Sequence, residues 1–168
     1  MDLFDAIDTR SSAARLTEPG PNSEEFDRLF QAAARAPDHG RLKPWRFIVL
    51  SGAERESFTN AAAAAKRSRL PTMTEEQVAA EREKLGRSPC IVVAACVVDR
   101  TSTKVPEIEQ VIAVGAAVEN LVLAAHALGY GVMWKTGAAA YDSRVKAVLG
   151  LQPDDHIVAI LHLGTRLK

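Results

Sequence analysis

Cysteine is scarce in this chain: there are two, Cys90 and Cys96, beside and within an apolar run. That excludes a disulfide framework, and no Cys/His spacing resembles a zinc site; the pair reads as reduced core thiols of a cytoplasmic protein. Net charge is absent as well, since 21 basic residues balance 21 acidic ones. The balance argues against bulk electrostatic binding to nucleic acid or anionic membrane, but leaves room for a local basic pocket. No long uncharged hydrophobic run occurs. The most apolar segment, 111–128, contains Glu119, Asn120 and His126 and reads as a buried helix, not a membrane span. The first residues, Met-Asp-Leu-Phe-Asp-Ala-Ile-Asp, start acidic and lack a secretory pattern.

The familiar catalytic signatures are missing too. There is no Gly-x-Gly-x-x-Gly, no phosphate-binding Walker loop, no Gly-x-Ser-x-Gly elbow and no His-Glu-x-x-His. Neither cysteine has an obvious activating neighbour. No nucleophile with an assigned base emerges, so an enzyme built on this sequence takes its chemistry from a cofactor.

What is present is an ordinary globular composition, 47% hydrophobic and 25% charged over 168 residues, enough for one domain spanning 1–168 with a real core. Periodicity predicts a short amphipathic helix over 2–9 and a second opened by Ser23 as N-cap, with Phe26, Leu29, Phe30 and Ala33 on one face and Pro37 as its stop. A strand follows over 45–50, then helices over 54–66 and from Thr74 to about Leu85, joined by a mobile basic connector over 66–71; loop length predicts a lid over about 65–76. The β-branched run 91–98 reads as a buried strand. The longest helix spans 107–128 and is apolar nearly all round, fitting a central or subunit-interface position; Gly129 stops it. A short strand over 131–135, a helix capped by Asp142 and a last strand over 157–163 complete an α+β or α/β pattern around a mixed sheet.

Three stretches could carry a site. Arg10-Ser11-Ser12 offers a guanidinium and two hydroxyls suited to a phosphate, or simply a solvated helix end. The run from Arg35 to Trp45, "RAPDHGRLKPW", sets a guanidinium, an imidazole and an indole where they could bracket a conjugated ring; alternatively, Trp45 and Phe47 fill the core. Arg35 and His39 are costly to bury without a partner. Trp134-Lys135-Thr136-Gly137 follows a strand with further donors, or is a plain strand end.

Taken in order, Arg10-Ser11-Ser12, "RAPDHGRLKPWRFIV", "AVGAAVENLVLAAHALGYGVMWKTG" and the terminal "LHLGT" resemble the nitroreductase family, closest to its compact branch of NAD(P)H nitroreductases. The resemblance spans almost the whole chain. It implies an α+β nitroreductase-like fold, a central mixed sheet flanked by helices in an intertwined homodimer, with non-covalent FMN at the subunit interface. It also implies that Arg10, Ser11 and Ser12 serve the phosphate and ribityl side, that Arg35 and His39 are flavin contacts, one of them from the opposite subunit, and that Trp134, Lys135 and Thr136 form the later flavin-binding segment. A nicotinamide cofactor is implied near the helix end at 124–129. Two departures stand out: the family usually has consecutive arginines where this chain has Arg10-Ser11, and relatives continue into a tail across the dimer, which here would be short or absent. The implied reaction passes hydride from NAD(P)H through FMN to a nitroaromatic, quinone or related small acceptor. Lys135, Arg35 and His39 would tune the flavin electrostatically, and no residue would act as nucleophile or base. A non-catalytic flavin carrier or sensor, and a flavin-free structural homodimer, are the alternatives.

Overall fold

The computed structural model describes residues 1–86 and 88–167. Its elements run α1 (Leu3–Thr9), β1 (Leu16–Thr17), α2 (Ser23–Ala33), β2 (Trp45–Leu50), α3 (Gly52–Arg69), α4 (Glu75–Gly86), β3 (Cys90–Cys96), α5 (Glu107–Ala127), β4 (Tyr130–Lys135), α6 (Ser143–Val148) and β5 (His156–Arg166), with 3-10 turns at His39–Arg41 and Ala138–Tyr141. This is the predicted order, with the two-residue β1 added.

The sheet is ordered β2-β3-β5-β4, with β1 pairing the far end of β5, and every strand pair is antiparallel. The expected mixture of directions is reduced to one isolated parallel bridge between Ser12 and Val132. Strand alternation divides the sheet into two faces. Val92, Ala94, Cys96, Leu161 and Leu163 meet α2 and α5 on one side. Ile91, Val93, Ala95 and Ile160 meet α3, α6 and the Ala138–Tyr141 turn on the other.

Helix α2 starts one residue earlier than expected. Asn22, not Ser23, is its N-cap: the Asn22 side chain accepts from the Glu25 amide while Glu25 accepts from the Asn22 amide. An amide and a hydroxyl cap equally well, and the acid three residues on selects Asn22. Glu25 also accepts from the Tyr130 hydroxyl, tying the start of α2 to β4. Farther along, Asn120 donates to the Ala32 carbonyl, and His39 Nδ1 lies 2.5 Å from Glu109. Helix α2 and the loop after it therefore run antiparallel to α5, from its C-terminal to its N-terminal end.

Helix α5 is long and apolar enough to cross a membrane by composition. In the fold, Ala113, Val114, Ala117, Val118, Leu121 and Ala125 are buried against the sheet and α2. The proposed lid over 65–76 is instead mostly helix. Helix α3 continues to Arg69 because Lys66 pairs with Glu81 and Arg67 with Glu75, both on α4 and out of reach of local periodicity.

Candidate active site

A groove lies on the α3–α4 side of the sheet, along β4 and β5. One lobe, about 430 Å³, is bounded by Ala13 to Leu16, Ser88, Met133 and Leu167. A second, about 310 Å³, is bounded by Ala62, Lys66, Glu81, Leu85 and the run from Thr136 to Ala139. Lys84, Lys135 and His162 border both lobes and mark the seam between them. The walls approach closely because two strands carry glycine where they meet neighbours. A Cβ on Gly131 would stand 2.7 Å from Leu16 and 2.8 Å from Ala13, and one on Gly164 would stand 2.7 Å from the Pro89 ring.

The seam is cationic. Burial, then the neighbouring Lys84, depresses the Lys135 pKa, with Glu81 opposing. Lys66 is spoken for by Glu81 at 2.6 Å. The groove is thus suited to an electron-rich molecule with acceptor atoms along one edge.

The sequence-predicted residues fall into three places. Lys135 and Thr136 border the groove, whereas strand alternation turns Trp134 to the opposite face, where its indole N–H donates to the Val158 carbonyl. Arg10 caps the end of α1 just before the groove wall that begins at Ala13, and Ser12 bridges to Val132 on β4. Ser11 is held differently: the Arg166 guanidinium donates to its hydroxyl and its carbonyl at 2.9 and 2.6 Å. The position that usually carries a second arginine thus has one beside it, supplied by β5.

Arg35 and His39 lie elsewhere. They follow α2 on the α5 side of the sheet, so the sheet itself stands between them and their own chain's groove. The Thr9 hydroxyl meets His126 near the end of α5, while His39 meets Glu109 near its start. Those two levels are about 25 Å apart along the helix axis, at 1.5 Å rise per residue. The Arg35 side chain has no partner among the described residues.

Sequence reasoning passed over His162, Ser88, Lys84 and Arg166. For His162 a clue existed: it is the lone polar residue inside the buried "AILHLG" run. The others become neighbours of the site only through pairing of distant segments.

A profile of the nitroreductase family matches residues 7–165. The chain belongs to this family. Among curated relatives, "Putative NAD(P)H nitroreductase" of Haemophilus influenzae is 34% identical over 169 residues, covering 100% of this chain and 90% of that protein. The similarly named YdjA of Escherichia coli K12 is 35% identical over 168 residues, covering 98% and 88%. Among solved structures, a nitroreductase-like family protein from Bacillus cereus superposes with a TM-score of 0.83 at 24% identity, covering 100% of this chain and 87% of that one. A structure from Desulfovibrio desulfuricans, described as a nitroreductase in complex with FMN, gives 0.76 at 24% identity, covering 100% and 88%. At such identities the structural likeness shows the fold, and the nitroreductase-like fold read from the sequence stands.

Proposed function

We propose that this nitroreductase-family chain is an FMN-dependent NAD(P)H oxidoreductase acting on a small acceptor such as a nitroaromatic or a quinone. The observation that carries this reading is the two-lobed groove, with Lys84 and Lys135 at its seam and the Arg10-Ser12 segment at its end. The residues fit an FMN-like molecule on their chemistry: cations and hydroxyls for a phosphate at one end, a lysine and backbone around Gly137 for a polar ring edge at the other, and the buried His162 Nε2 without a partner between them. When bound, FMN supplies the hydride chemistry, accepting from NAD(P)H and delivering to the second substrate.

The chain's own residues supply position and charge. Arg10, Ser12 and Arg166, the last through its hold on Ser11, would anchor the phosphate by charge-assisted bonds. Lys135, partly withdrawn from water, would favour negative charge on the ring edge beside it. No side chain is asked to act as nucleophile or base.

Arg35 and His39 would serve the partner's groove in a homodimer. Ile108 and Ile112 are each 63% exposed on the outer face of α5, and Leu3, Phe4 and Ile7 are exposed on α1. These apolar side chains, at the two ends of α5, would meet those of a second copy. Pairing two α5 helices antiparallel would bring the His39 end of one subunit toward the Arg10 end of the other. Cys90 and Cys96 are free, and burial pushes both thiols up to about 11, which supports a protein kept reduced, as in the cytoplasm.

Purified protein should be yellow, release FMN on heating and oxidise NADH or NADPH when a quinone is added. Colourless protein that takes up no added FMN would overturn the reading. Bound flavin without steady NAD(P)H consumption would favour a carrier or sensor. Replacing Arg10 by Ala should weaken FMN binding by about 10- to 150-fold, the equivalent of about 1.5–3 kcal/mol for a charge-assisted contact. Unchanged affinity in equilibrium titration would place the phosphate elsewhere.

A further inference from the structure

His162 occupies a position that an apolar residue would fill at lower cost. It lies in β5 between Leu161 and Leu163, both fully buried, and is itself 4% exposed. Its Nδ1 is 2.8 Å from the Ser88 hydroxyl, and its Nε2 has no hydrogen-bond partner among the described residues. A buried ring nitrogen left unpaired is destabilising, and such groups in native proteins call for an explanation. Here the ring borders both lobes of the groove.

The surroundings decide which tautomer is present. Burial, reinforced by Lys135 and Arg55, lowers the His162 pKa to about 4, so the imidazole is neutral and one nitrogen carries the proton. Lys84 and Lys135 share the seam with it, so a ligand atom lodged there is an electron-rich acceptor, and Nε2, the nitrogen that Ser88 leaves unpaired, must donate to bond it. Ser88 can supply the complementary bond, its O–H donating to Nδ1. The loop that presents Ser88 is fixed in turn, because Arg55 donates to the carbonyls of Ser88 and Pro89.

We infer that His162 is a ligand-binding residue, held by Ser88 as the neutral Nε2–H tautomer and donating to an oxygen of the bound molecule beside Lys135. This rests on the FMN reading above, and the oxygen is then a ring carbonyl or ribityl oxygen of FMN. A neutral donor next to a cation requires adjacent acceptor atoms in the ligand, so His162 contributes to selection as well as affinity.

The test uses full-length protein stripped of flavin, titrated with FMN, with apo thermal unfolding as a control. His162→Phe should bind FMN about tenfold more weakly while its apo form unfolds no earlier than the wild type. His162→Gln, which retains a donor, should recover most of that affinity. In wild-type protein, 15N NMR should show His162 protonated at Nε2, with that proton shifting on FMN addition. Wild-type affinity in His162→Phe, an Nδ1-protonated ring, or an Nε2 proton indifferent to FMN would overturn the inference while leaving the FMN reading intact. Failure of the wild type itself to bind FMN would overturn both.

Discussion

Lys135 and His162 sit on neighbouring strands in a cationic seam, yet differ in what burial does to them. Burial lowers the pKa of the half-buried Lys135, and it drives the deeply buried His162 neutral. That has a measurable consequence. Above the ordinary histidine pKa of 6.5, His162 is neutral in folded and unfolded chains and adds no pH dependence. As pH falls from 6.5 toward about 4, the unfolded chain takes up a proton that the folded one refuses, so stability is lost across that window. The loss should reach about 3 kcal/mol at the bottom of the window, at 1.36 kcal/mol per pKa unit. Urea denaturation of apo protein at pH 7.5 and pH 4.5 should show a smaller difference for His162→Phe than for the wild type; equal differences would contradict it. Lys135 could be singled out in the Trp134-Lys135-Thr136 stretch because it ends a strand. The role of Ser88 was not, because its hydroxyl meets His162 only after β3 and β5 pair.

Among the elements, β2 to β5 and α5 were readable because their apolar patterns are strong and glycine or proline lies close to their ends. The α2 start and the end of α3 were misjudged where side chains from elsewhere settle the matter: Glu25 selects Asn22 as cap, and Glu75 and Glu81 on α4 hold the end of α3 helical. Asn22→Ala should lower stability by about 1 kcal/mol, since it removes one half of a reciprocal cap. Ser23→Ala should do much less, and the reverse order in chemical denaturation would contradict the capping assignment. Gly164 is a sharper case. An added Cβ would meet the Pro89 ring at 2.7 Å and the Thr17 carbonyl at 2.9 Å, neither of which can swing aside. Gly164→Ala should therefore cost about 1–3 kcal/mol, and its effect should extend to FMN affinity because the Ser88-Pro89 loop would shift.

For the whole molecule, we propose that each site is built from two subunits. One chain holds the Arg10-Ser12 segment, Lys135 and His162 around a groove, while its own Arg35 and His39 lie beyond the sheet. The sequence brought both groups to notice but not their separation, which depends on which face of the sheet α2 covers. Ile112→Asp, which places a charge on the exposed face of α5, should shift the protein toward monomer in sizing experiments and lower FMN affinity with it; a stable dimer would place the interface elsewhere. The most direct test is complementation. Arg10→Ala and the double variant Arg35→Ala/His39→Ala should each give homodimers with two weakened FMN sites. If the sites are shared, a mixed dimer of the two has one site with every defect and one with none, so titration should show one FMN per dimer bound with wild-type affinity. A mixed dimer with no site of wild-type affinity would contradict the account.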